Sequence, residues 1–99
     1  MASQTETKDS VTKLKAPNKF NVIMLNDDVT PMDFVIHILV IVFNRTPETA
    51  KDIMLEVHEK GRSIAGTFSY EVAEQKAADA INLSRDAGFP LGFDLEESI

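Results

Sequence analysis

Phe20-Asn21-Val22-Ile23-Met24-Leu25-Asn26-Asp27-Asp28-Val29-Thr30-Pro31-Met32-Asp33-Phe34-Val35-Ile36-His37-Ile38-Leu39-Val40-Ile41-Val42-Phe43-Asn44 passes through three kinds of local chemistry. Phe20, Val22 and Met24 alternate with Asn21, Ile23 and Leu25, which predicts a strand from Lys19 to about Asn26 that is buried on at least one face. Asn26 to Pro31 then concentrates turn formers. Within it, Thr30-Pro31 predicts a helix start, with Thr30 as N-cap and Pro31 as the first helical residue. From Phe34 to Phe43 every residue except His37 is apolar. That run is too short to cross a bilayer and too apolar to face water all round, so a helix from Pro31 to about Asn44 is expected to pack on most sides.

Working outward, Thr46-Pro47-Glu48 repeats the helix-start signal, and Ala50, Ile53, Met54 and Val57 recur at i, i+3, i+4 and i+7. Lys60-Gly61 supplies the stop. Arg62 to Phe68 reads as a second strand, with Ile64 and Phe68 on one face and Ser63, Ala65 and Thr67 on the other. Ser69 is placed to cap a third helix that buries Val72, Ala73, Ala77, Ala80 and Ile81, wets Glu71, Glu74, Asp79 and Arg85, and ends at Gly88. Leu91 to Glu96 alternates strictly, the mark of a half-buried antiparallel strand. The order βααβαβ predicts an α+β domain, a three-stranded antiparallel sheet packed on one face by three helices.

The first eighteen residues scatter their few apolar side chains without a period of two or 3.6, and read as a flexible tail before a core domain of residues 19–99. A coil of that length spans roughly 23 Å on average and at most about 60 Å. The tail shows neither a secretory leader nor a membrane anchor, so a cytoplasmic protein without membrane contact is expected. Lys8, Lys13 and Lys15 against Glu6 and Asp9 give the tail +1, so residues 19–99 carry -7 within the chain's total of -6. An acidic field repels phosphate backbones, which argues against a nucleic-acid partner. With no cysteine, disulfides, thiolate nucleophiles and zinc-thiolate sites are excluded. None of the four glycines falls in a phosphate-cradling motif.

The polar candidates are few. Asn26-Asp27-Asp28 reads first as turn chemistry and second as a ligand site; as a calcium loop it lacks the central Gly and the distal Glu. Metal binding through Asp27, Asp28 and a histidine rests on residue type alone. His37 reads as a surface residue. His58 stands at i+4 from Met54 beside Val57, and Met32 and Val35 repeat the pairing on the preceding helix. A plain core stripe is one reading. The other is an apolar pocket with an acidic rim, fitted to something greasy and cationic, with methionines adapting its shape. No motif fixes a nucleophile, a base and an orienter together.

Taken together, Val22 to Ile36, Met54-Leu55-Glu56-Val57-His58, Gly61, Gly66 and Pro90-Leu91 closely resemble the ClpS adaptor family over residues 19 to about 97. The resemblance implies the βααβαβ fold and a non-enzymatic adaptor without metal or cofactor. Such an adaptor binds proteins with destabilising N-terminal Phe, Leu, Trp or Tyr, the N-degrons, and delivers them to the N-terminal domain of a ClpA-type or ClpC-type unfoldase. Position by position, it implies that Asn26 and His58 accept from the ligand's α-ammonium with Asp27 completing the shell. Asp28 would hold the first peptide group, while Thr30, Met32, Val35, Met54, Val57 and Leu91 would wall the side-chain pocket. Glu71 and Lys76 are carried over as unfoldase contacts. Val29, where the family is often aromatic, and His37, where it is commonly acidic, are departures outside the pocket. Two other classes stay open on the residues: a generic interaction module of ribosomal-stalk-like topology and a small metal-dependent hydrolase.

Overall fold

The computed structural model describes residues 18–98, so residues 1–17 of the expected tail lie outside the described residues, as does Ile99. Strand β1 (Lys19–Leu25) leads to helices α1 (Met32–Ile41) and α2 (Pro47–Lys60), then β2 (Arg62–Ser69), α3 (Tyr70–Asp86) and β3 (Gly92–Ser98). The sheet order is β2-β1-β3, with both outer strands antiparallel to the first. The chain therefore crosses over β1 through α3 between two strands that run the same way. Val22 and Met24 on β1 are fully buried in a core with Ile38 and Leu39 of α1, Ala50 and Val57 of α2, and Ala73 and Ala80 of α3. Small side chains on α3 let that helix lie close to the sheet.

Strand β2 departs from simple alternation. Val22 pairs with Gly66, whereas the next residue, Ile23, pairs with Ile64, so Ala65 is an extra residue on β2. One inserted residue moves everything beyond it to the other face. Ile64 and Phe68, expected to share a face, are split: Ile64 is exposed, while Phe68 packs on the core with its ring 6.4 Å from that of Phe43. Gly66 accommodates this, because a Cβ there would meet the Phe68 ring at 2.5 Å. The Arg45 guanidinium caps the bulge, its Nε donating to the Ala65 carbonyl at 2.8 Å.

The helix termini follow local chemistry, with three corrections, one of them at Ser69, which holds the N-cap place of α3 without a side-chain cap bond. Thr46 caps α2 as expected, accepting from the Thr49 N–H at 3.1 Å, and Gly61 closes it in the left-handed region at φ 89°. Thr30, however, is not the cap of α1. Pro31 takes that place, its carbonyl accepting from Phe34 and Val35, while the Thr30 hydroxyl donates to Asp27 Oδ2. Helix α1 also stops before Asn44, which adopts φ 57°. Lys76 on α3 stabilises that end, its Nζ donating to the Val42 carbonyl at 2.8 Å and to Asn44 Oδ1 at 3.2 Å. Packing on α1 is one-sided enough to leave Ile41 half-exposed, and on α3 the expected core residue Val72 is exposed while Ser84 is fully buried, its hydroxyl donating to the Ala80 carbonyl.

Candidate functional site

Where β1 ends, the chain turns away from the sheet and the C-terminal end of α2 comes alongside. The Asn26 N–H donates to the Gly61 carbonyl at 3.0 Å, which fixes the turn after β1 against the last turn of the helix that carries His58. The left-handed Gly61 makes this crossing. The negative end of the α2 dipole therefore faces the turn, an arrangement that favours a cation nearby.

Between these elements lies a cleft of about 140 Å³. Asn26, Asp27, Asp28 and Thr30 line it from the turn, and Met32 and Val35 from α1. Met54, Val57 and His58 line it from α2, and Leu91 closes it ahead of β3. Every residue assigned by resemblance to amine, backbone or side-chain contact thus borders one cavity. The floor is apolar, with Val35, Met54, Val57 and Leu91 all buried, whereas Asn26, Asp28 and His58 are exposed and Met32 is 50% exposed. Pockets for drug-sized ligands run to roughly 300–1,000 Å³, while a cavity of about 150 Å³ admits a benzene ring. This cleft is sized for one side chain.

Asp27 organises the turn. Its Oδ1 accepts from the N–H groups of Val29 and Thr30, each at 2.8 Å, and its Oδ2 accepts from the Thr30 hydroxyl at 2.7 Å. Burial works against ionisation here but is outweighed by the Thr30 hydroxyl, the two backbone donors and the positive field of Arg85, so the carboxyl lies below its ordinary value. A depressed carboxylate contributes stability that is present above its unfolded value of ~3.9 and is lost as pH falls through the lower folded value. The thermal midpoint of the wild-type protein should therefore exceed that of Asp27→Asn near neutrality, and the gap should narrow below about pH 4. A gap that stays constant down to pH 2.5 would show that the charge does not hold the turn.

The turn reading and the ligand reading of this segment are compatible, because Asp27 braces the loop while its negative charge stays at the cleft wall. Leu25 also lines the cleft and was not anticipated. Strand alternation assigns it to the other face, and only its position at the strand's last residue hints at the cavity. Outside the cleft, Glu71 is exposed, while the Lys76 ammonium is held by the end of α1 and lies 5.4 Å from the centroid of the Phe68 ring. Among the described residues no three His, Asp or Glu side chains converge as a metal site, and no helix is long and apolar enough to cross a membrane.

The fold and the cleft define a small α+β binding module. A family model described as ATP-dependent Clp protease adaptor protein ClpS matches residues 15–94. The ClpS adapter of Wolinella succinogenes is 40% identical over 94 residues, covering 95% of this chain and 91% of its own, and that of Hyphomonas neptunium is 49% identical over 79 residues, covering 80% and 67%. Among solved structures, Agrobacterium tumefaciens ClpS2 bound to L-phenylalaninamide superposes with a TM-score of 0.80 at 36% identity, covering 83% of this chain and 99% of that one. This chain belongs to the ClpS family of Clp protease adaptors.

Proposed function

We propose that the cleft binds the free N-terminus of proteins beginning with Phe, Leu, Trp or Tyr, and that the chain passes them to a Clp unfoldase of the ClpA or ClpC type in the cytoplasm, itself breaking no bond. The observation that carries this reading is that three unlike acceptors, the Asn26 amide, the Asp27 carboxylate and the His58 imidazole, line the same cavity as an apolar floor, and that this cavity is sized for one side chain. An α-ammonium has three donors and a charge, and needs converging acceptors of this kind. The phenylalaninamide held by the Agrobacterium relative offers a primary amine, an aromatic side chain and an amide, which are the groups this cleft is furnished to take.

Burying a Phe or Leu side chain contributes roughly 1.5–3 kcal/mol and each charge-assisted hydrogen bond about as much, against an association cost of at least ~4 kcal/mol. Affinity on the order of micromolar is expected. Fluorescence titration of peptides differing only at residue one, each with a free and an acetylated N-terminus, tests the reading. Free Phe, Leu, Trp and Tyr peptides should bind and their acetylated forms should not. Equal binding of both forms would point instead to a generic interaction module. For free peptides, binding should also fall as pH rises past about 8, where an α-amino group loses its charge.

Delivery is a separate step. The tail of residues 1–18 is long enough to reach a partner beyond the core, so a truncation beginning at Asn18 should keep its peptide affinity and fail to accelerate degradation by the unfoldase and its peptidase. Normal delivery by the truncated protein would remove the tail from the mechanism. Docking on the unfoldase's N-terminal domain is proposed for the surface bearing Glu71 and Lys76, with Glu71 the freer of the two, since Lys76 is already engaged within the fold.

A further inference from the structure

Leu91 is 1% exposed, walls the cleft and belongs to the core, yet it lies beyond the ladder, whose last β1–β3 pair is Leu25 with Gly92. Pro90 before it has no N–H to anchor the chain. What grips this segment is Arg85, on the last turn of α3: its Nη1 donates to the Phe89 carbonyl at 3.0 Å and to the Leu91 carbonyl at 2.9 Å. The bend is tied further by the Phe89 N–H donating to the Ser84 carbonyl at 2.8 Å and by the Phe89 ring standing edge-on to Phe34 of α1 at 4.9 Å.

We propose that Arg85 is a positioning residue for ligand binding: by holding the carbonyls on both sides of Pro90, its guanidinium keeps the Leu91 side chain against the side chain of the bound N-terminal residue. The inference rests on the peptide-binding reading above. Arg85 is itself exposed and makes no part of the apolar core, so its removal leaves the packed interior in place. Its charge also acts on Asp27, and this gives it a second, opposite influence. Loss of the grip lets the wall recede and weakens side-chain burial, whereas loss of a positive charge near the amine site strengthens attraction for an ammonium.

A double-mutant cycle separates these influences, using one Phe-starting peptide and the variants Arg85→Met, Leu91→Ala and their combination. If Arg85 acts through Leu91, Arg85→Met weakens binding about tenfold in the wild-type background and has no weakening effect once Leu91 is alanine. Arg85→Lys, which keeps the charge and point donors but not the planar fork, should restore part of the loss. Equal weakening by Arg85→Met in both backgrounds, or none in either, overturns the proposal, as does a loss that merely follows the thermal midpoint. Should Leu91→Ala fail to fold, Leu91→Val completes the cycle: Arg85→Met should then weaken binding by less than in the wild-type background, and equal weakening in both again overturns the proposal. A wild-type protein that does not bind the peptide removes the function and the inference together, whereas binding with an additive cycle removes the inference alone.

Discussion

Replacing Asn26 and His58 together by alanine is expected to weaken binding of a Phe-starting peptide by roughly thirtyfold or more while leaving the fold unchanged. Each substitution alone removes one acceptor from an ammonium that leaves water on binding, a loss of about 1–3 kcal/mol, or roughly five- to 150-fold. Because both acceptors address the same charged group, the combined effect need not equal the sum. The fold should persist because both side chains are exposed, and the Asn26 contact that ties β1 to α2 is made by its backbone N–H. Fluorescence anisotropy on the single and double variants, with circular dichroism alongside, is the measurement. Unchanged affinity in both single variants would leave the amine without its proposed partners, and the cleft would have to be read as a structural void.

Most of this site was legible because its parts are local. Thr46-Pro47 and Lys60-Gly61 mark the ends of α2 by capping chemistry, and the i, i+3, i+4 spacing alone places Met54, Val57 and His58 along one side of it. The less legible parts depend on distant partners. Thr30 has the residue type of an N-cap, but its hydroxyl turns back to donate to the Asp27 carboxylate and the cap position falls on Pro31. The bulge at Ala65, which sends Ile64 and Phe68 to opposite faces, arises from pairing with a strand more than forty residues away. On α3 the expected Ala73, Ala77 and Ala80 are buried, but the line continues through Ser84 and leaves Val72 exposed. The grip of Arg85 on Leu91 is likewise invisible in the sequence, where an arginine in a last helical turn reads as dipole compensation and nothing more.

Specificity against branched side chains is the second large effect, and it falls on Met32. This residue lies at the start of α1, lines the cleft and is 50% exposed; under the peptide-binding reading we propose that its thioether meets the first atoms of an inserted side chain. Leu and Phe carry a single substituent on the β-carbon and pass beside it, whereas Ile and Val carry two and must press a methyl into it. Overpacking of this kind costs about 1–3 kcal/mol, a discrimination of roughly tenfold or more. Met32→Ala removes the obstruction and should admit Ile-starting and Val-starting peptides, while weakening the Phe peptide modestly through lost contact. Its exposure argues against the competing view that Met32 is simply core, under which the substitution would lower the thermal midpoint and weaken every peptide in proportion. Affinities of Phe, Leu, Ile and Val peptides for both proteins, read with their thermal midpoints, decide between these. An Ile-to-Leu affinity ratio that does not move on Met32→Ala would leave the exclusion of branched residues to the buried floor of Val35, Met54, Val57 and Leu91, whose shape the substitution does not touch.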